Sequence, residues 1–157
     1  MEQEHEGNQG RKPIRFEFEA SPIDDSDVLL IAVQGELDLN TVQELKGPAE
    51  LAIAGRRPVI LDLSRCPFID STGLRLTLHL HNALSDGAGS AALAVVANPR
   101  IRKLFSLTAI DRSVAVFATR DGAVDALEAG RGNEFARRET ASVAAAAPLR
   151  RAQRRKP

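Results

Sequence analysis

The stretch Asp70-Ser71-Thr72-Gly73-Leu74-Arg75-Leu76-Thr77-Leu78-His79-Leu80-His81-Asn82-Ala83-Leu84-Ser85-Asp86-Gly87 decides the fold, because its two readings give different architectures. Leu74, Leu76, Leu78 and Leu80 alternate with Arg75, Thr77, His79 and His81, the period of a half-buried strand. The flanks point the other way. Asp70-Ser71-Thr72 supplies the side chains that open helices, and Ser85-Asp86-Gly87 supplies a stop about 15 residues later. A strand that long is unusual, whereas four turns make an ordinary helix. The stretch is therefore predicted helical, with Leu74, Leu78 and His81 on one stripe and Leu76, Leu80 and Ala83 on its neighbour.

Outward from this helix, short apolar runs alternate with helical patterns. Upstream, Ile14 to Glu19 alternates apolar and charged residues as a half-buried strand, and Ser21 to Asp27 carries turn chemistry. Val28-Leu29-Leu30-Ile31-Ala32-Val33 reads as a buried central strand ending in Gly35-Glu36-Leu37-Asp38. Asn40 or Thr41 can cap a helix to about Ala54, with Pro48 demanding a kink or a late start and Gly55 ending it. Pro58 to Leu63 is a further strand. Downstream, Ala91 to Val96 is another buried run, and Asn98-Pro99 opens a short helix through about Leu107. Val114 to Phe117 is a last strand, followed by a helix capped by Asp121 and running to about Glu128.

The resulting order, β-β-α-β-α-β-α-β-α, implies an α/β layer structure with a mixed sheet of four to five strands and about four helices. The first two strands can pair as a hairpin; the later ones need helical crossovers. Residues 1–13 are expected to be a disordered acidic N-terminus, 14–129 the folded domain, and 130–157 a disordered Ala- and Arg-rich basic tail.

The 157 residues and 43% hydrophobic content suit one globular core. The single cysteine, Cys66, excludes an intrachain disulfide and a cysteine-rich metal site. No apolar run approaches the roughly 20 residues of a membrane helix, and the opening Met1 to Glu6 is acidic, unlike a secretory signal. A cytoplasmic location is expected. Six Phe with neither Tyr nor Trp count against a single-stranded nucleic-acid binder. The net charge of zero conceals an uneven layout: eight acids against three bases in 1–28, and eight bases against two acids in 131–157. The basic tail reads as a solvated segment, with no direct DNA binding expected.

At Asp70-Ser71-Thr72-Gly73, a helix start offers unpartnered backbone N–H groups and the positive end of the dipole, so added negative charge is tolerated there. A hydroxyl at that place can accept a phosphoryl group, while Gly73 lets another chain segment come close. On local chemistry alone, Asp70 or Ser71 reads as a plain helix cap. His79 and His81, two residues apart, diverge on a helix and make a poor metal pair. Cys66 reads as a buried thiol. Asp62 and Asp70 have no nucleophile–base pair or phosphate-binding glycine loop beside them, so no enzymatic activity, metal or cofactor is expected.

Two separated strings carry a family resemblance. Phe68-Ile69-Asp70-Ser71-Thr72-Gly73-Leu74, following the strand Val59 to Ser64, resembles the signature of the STAS family, and more narrowly of its anti-sigma factor antagonists. Val33-Gln34-Gly35-Glu36-Leu37-Asp38 resembles that family's Gly-Glu-Leu/Ile-Asp element after the second strand. The resemblance covers about 14–128 and implies a STAS-like fold with Ser71 as the phosphorylated residue. It implies a partner, an anti-sigma factor serine kinase bound in the unphosphorylated state, and a phosphatase that resets phospho-Ser71. Asp38, Asp70, Thr72, Gly73 and Arg75 are then the expected partner-binding residues. Arg75 departs from the family pattern, which has a small residue there. A second function the fold admits is a non-phosphorylated STAS adaptor in a membrane-associated transport or signalling complex.

Overall fold

The computed structural model describes residues 15–85 and 92–140, with side chains up to residue 130. The expectations for 1–14, for the stop at Asp86-Gly87, for Ala91 and for 141–157 lie outside the described residues. Five strands form one sheet in the order β1-β2-β3-β4-β5: β1 Glu17–Pro22, β2 Leu29–Gln34, β3 Val59–Arg65, β4 Leu93–Ala97 and β5 Ala115–Phe117. The β1–β2 pair is antiparallel and every later pair is parallel, as the hairpin and crossover pattern requires. Four α-helices join them: α1 Lys46–Gly55, α2 Ser71–Ser85, α3 Pro99–Leu107 and α4 Arg120–Thr140. Short 3-10 turns at Val42–Leu45 and Ile110–Arg112 complete the order.

Alternation along the strands divides the core into two layers. Ile31, Val33, Val59, Leu61, Leu63, Val95 and Ala97 pack under α1, α2 and α3, against Ala49, Leu80, Leu84, Ile101 and Phe105. Val28, Leu30, Ile60, Ala94 and Val96 face the other side, where Ala123 and Leu127 of α4 cover them. A strand covered on both faces reads as a continuous apolar run, which is why β4 carries no polar residue. Each fully buried Leu, Ile or Phe contributes about 1.5–3 kcal/mol through removal from water.

The contested stretch is a helix, and its start at Ser71 matches the cap signal. Its buried stripe is Gly73, Thr77, Leu80 and Leu84, however, not the stripes expected from the leucines. Leu74, Leu76 and Leu78 pack half-buried on its flanks. The leucine alternation therefore straddles the core-facing line, and small or polar residues fill the closest contacts. Thr77 is fully buried because its hydroxyl donates to the Gly73 carbonyl one turn back, 3.0 Å away.

Several boundaries differ from expectation. The first strand begins at Glu17 and runs through Ser21-Pro22, since pairing with β2 carries it past the residues expected to turn. Pro48 produces a late start: it sits in the first turn of α1, where its missing N–H costs nothing. Neither Asn40 nor Thr41 caps a continuous helix there; α1 ends at Gly55 as expected, and Arg56 follows it in the left-handed conformation (φ 51°). In α4 the capping hydroxyl belongs to Thr119, which accepts from the Gly122 N–H at 3.1 Å, while Asp121 lies in the first turn. That helix was expected to end near Glu128 and continues to Thr140, so residues 130–140 of the expected tail are helical. Ala, Arg and Glu are strong helix formers, and two glycines at about 1 kcal/mol each do not stop the run.

Candidate functional site

The two sequence strings meet as backbone. Leu37 and Ile69 form a parallel bridge, the Leu37 N–H donates to the Phe68 carbonyl (2.9 Å), and the Asp70 N–H donates to the Leu37 carbonyl (3.1 Å). The loop after β2 is thereby zipped to the loop after β3, immediately before α2. Gly35 permits this course with φ +98°, and a Cβ there would lie 2.9 Å from the Phe16 Cα. Gly73 permits the closest approach: an added Cβ would meet the Leu37 carbonyl oxygen at 2.9 Å and the Ile69 side chain at 2.5 Å.

Asp70 is the hub. Its Oδ1 accepts from the backbone N–H groups of Thr72 (2.9 Å) and Gly73 (3.2 Å) and from the Thr72 hydroxyl. Its Oδ2 accepts from the Leu39 N–H at 3.1 Å. These donors hold its carboxyl below the usual carboxylate range, led by the Thr72 hydroxyl and assisted by the N–H groups of Gly73, Thr72 and Leu39 against a smaller opposing effect of burial. Of the two cap candidates left open by the sequence, Asp70 is therefore the cap. Asp38 is occupied locally: its Oδ1 accepts from the N–H groups of Asn40 (2.9 Å) and Thr41 (3.1 Å), and its own N–H donates to the Thr41 hydroxyl (2.9 Å). It shapes the loop, which carries Leu39 outward.

The adjacent hydroxyls of Ser71 and Thr72 have different fates. Thr72 is half-buried and turned to Asp70. Ser71, the first residue of α2, is exposed, and its side chain makes no hydrogen bond among the described residues. Arg75, one turn later, is also exposed.

Residues the sequence reading did not single out complete the surface. Phe68 and Leu39 are large apolar side chains 50% and 60% exposed beside the zipped loops. Exposed Phe three residues ahead of the helix start was readable in the string but ambiguous between core and surface. Pro67, Phe68, Ile69, Arg100, Lys103 and Leu107 line an open groove of about 300 Å³ next to it. Asn98 steadies this edge from β4: its Oδ1 accepts from the Ile101 N–H to cap α3, and its Nδ2 donates to the Cys66 carbonyl at 2.9 Å. Cys66 is buried, as expected, with its thiol donating to the Phe68 carbonyl; burial pushes that thiol up.

The remaining candidates are dispersed. His79 is exposed and His81 half-buried, pointing to different surroundings; burial lowers the His81 imidazole. Asp62 lies on the far face of the sheet from α2, ion-paired with Arg120 and accepting from the Ser64 N–H at 2.9 Å. Burial pushes its carboxyl up, but the Ser64 and Arg120 contacts outweigh that and hold it below the usual range. Asp62 and Asp70 thus form no pair.

The family model of the STAS domain matches residues 21–123. The chain belongs to the STAS domain family. Within that family it is similar to BtrV of Bordetella bronchiseptica, named for anti-sigma factor antagonism, at 32% identity over 68% of this chain and 92% of the relative. It is also similar to the anti-sigma F factor antagonist of Paenibacillus polymyxa, at 26% identity over 64% of this chain and 87% of that one. Among solved structures, an anti-sigma factor antagonist from Mycobacterium paratuberculosis superposes with a TM-score of 0.64 at 25% identity, covering 73% of this chain and 95% of that one. In this STAS domain, both strings that carried the resemblance lie at one end of the sheet, joined by main-chain hydrogen bonds. Among the described residues no helix is long and apolar enough to cross a membrane.

Proposed function

We propose that this STAS protein is an anti-sigma factor antagonist that binds an anti-sigma factor serine kinase when unmodified and is released when Ser71 is phosphorylated. The observation that carries the reading is the division of labour between neighbouring hydroxyls. Thr72 is held by Asp70, whereas Ser71 stands exposed at the positive end of α2. The protein is a binding module in this reading; the kinase supplies the catalysis. The Ser71 Oγ attacks the γ-phosphorus of ATP, the bond from that phosphorus to the bridging oxygen breaks, ADP leaves, and the hydroxyl proton passes to a base of the kinase. A phosphatase returns the serine by hydrolysis.

The docking surface consists of the Leu39 loop, Phe68 and the first turn of α2 including Arg75. One phosphate adds about −1.5 to −2 charge. At about 4–6 Å from a partner carboxylate and an effective dielectric of 20, each unit pair costs roughly 3–4 kcal/mol before screening. Half of that exceeds the ~1.4 kcal/mol that changes affinity tenfold. A large rearrangement is not required.

The test is intact mass of the full chain after incubation with the cognate kinase and ATP. One phosphoryl group is expected, absent in Ser71→Ala. Persistent labelling of Ser71→Ala, or a site mapped to Thr72, sinks the assignment.

A further inference from the structure

We propose that Arg75 is the internal counter-ion of phosphorylated Ser71, so that phosphorylation withdraws a cation from the docking surface while adding an anion to it. This rests on the reading of Ser71 as phosphoacceptor. Ser71 and Arg75 lie four residues apart on α2, the spacing at which side chains of successive turns meet. Helical side chains lean toward the N-terminus, so the Arg75 stem covers the turn that Ser71 begins. Both residues are exposed.

Arg75 is also available. The ion pair among the described residues is Asp62 with Arg120, on the other face of the sheet. The nearby carboxylates are committed elsewhere: Asp70 to the N–H groups of Leu39, Thr72 and Gly73, and Asp38 to those of Asn40 and Thr41. A guanidinium presents a planar fork that matches phosphate oxygens two at a time, a stronger and more directional pairing than an ammonium makes. An acidic partner group that meets Arg75 on the unmodified protein would meet a phosphate on the modified one, and would find the guanidinium already engaged. Where this position holds a small residue, the surface changes only by the phosphate. Arg75 makes the same modification count twice.

The charged and titratable groups on the elements that converge here are Glu36, Asp38, Cys66 and Asp70 on the two loops and Arg75, His79 and His81 on α2. The acids raise the second ionisation of the phosphate; Arg75 and the helix end lower it. The experiment uses the full chain carrying phosphoserine installed at position 71 during translation, titrated by phosphorus NMR, alongside Arg75→Gln and Arg75→Lys versions. Removing the cation in Arg75→Gln is expected to raise the phosphate pKa by roughly 0.3 pH unit or more. Arg75→Lys is expected to restore part of that shift. Superimposable titrations of the parent and Arg75→Gln proteins overturn the proposal, as does a lysine that restores none of the shift. Arg75 is exposed, so circular dichroism of all three versions is expected to coincide. Because the phosphate is placed without a kinase, failure of a kinase to modify Ser71 would end the functional reading and leave this measurement standing.

Discussion

The carboxylate of Asp70 accepts the backbone N–H of Leu39 across 31 residues of sequence, at 3.1 Å. The same carboxylate caps α2 through Thr72 and Gly73. One side chain thus sets the register between the loop that displays Leu39 and the helix that begins at Ser71. Asp70→Ala is expected to lower the thermal midpoint by several degrees and to speed amide exchange at Leu39, Thr72 and Gly73 together. Asp70→Asn keeps acceptor oxygen on one side only and should release one of the two groups of amides. Exchange that accelerates only at Thr72 and Gly73 in the alanine variant would contradict the hub role.

Gly73→Ala should be costly out of proportion to its size. The added carbon would sit 2.9 Å from the Leu37 carbonyl and 2.5 Å from Ile69, so either the helix start or the Leu37 loop must shift. A loss of about 1–3 kcal/mol is expected in denaturant titration, as for other overpacked sites. Partner binding should weaken as well, since the displaced segment carries the docking loop.

Ser71→Ala is expected to change stability by no more than about 0.5 kcal/mol, because the hydroxyl is exposed and bonded to nothing among the described residues. It should retain partner affinity while losing phosphorylation. Phosphoserine at position 71 should weaken binding more than tenfold at low salt, and less as ionic strength rises. Calorimetry at two salt concentrations separates charge from bulk: a salt-independent loss would assign the effect to bulk.

How much of this was legible beforehand depends on where the determining contacts lie. The helix from Ser71 to Ser85 was readable from its ends, because caps are local chemistry, while the leucine alternation pointed to a strand. The buried stripe through Thr77 was not readable: a threonine satisfied by a carbonyl one turn back looks polar in sequence and behaves as core. The convergence of Gly35–Asp38 with Phe68–Gly73 came only as an implication of family resemblance, since nothing in either string names the other. The Asp62–Arg120 pair joins residues on β3 and α4, and no local pattern announces it. The extension of α4 to Thr140 was not legible because the segment beyond Gly130 is Ala- and Arg-rich without an apolar period, and so reads as a tail.

That ion pair supports a separate prediction. Asp62 is 3% exposed and Arg120 half-exposed, so Arg120→Met strands a buried carboxylate that retains the Ser64 donors. A loss of about 1–2 kcal/mol is expected, less than for a pair fully removed from water. Asp62→Asn with Arg120→Met should recover part of it in a double-mutant cycle. Partner affinity should be unchanged throughout, because this contact is on the opposite face from α2.

Acid sensitivity should arise in two separate windows. The folded His81 imidazole titrates below its unfolded value, so the stability it contributes is complete above about pH 6.5 and declines as pH falls through the region beneath it. Asp62 and Asp70 are also depressed, and their contribution disappears only as pH falls below about 3.8. Denaturant midpoints measured from pH 7 to pH 3 should show the upper decline in the parent and a flatter profile in His81→Gln. An identical upper decline in both would assign it to another group.

The zipped loops have a consequence for how such a surface can diverge. Leu37, Phe68, Ile69 and Asp70 hold one another through main-chain atoms, with Leu37 and Ile69 buried beneath, so the backbone path is fixed while the exposed side chains on it are free to vary. Recognition specificity can then drift at Leu39, Phe68 and Arg75 without disturbing the platform. Asp70, Gly35 and Gly73 are not free in this way: the carboxylate ties the two loops, and the missing carbons of the glycines are a condition of the path itself. A graft that moves specificity from one such protein to another must therefore carry both loops as a single piece, although the genetic text separates them.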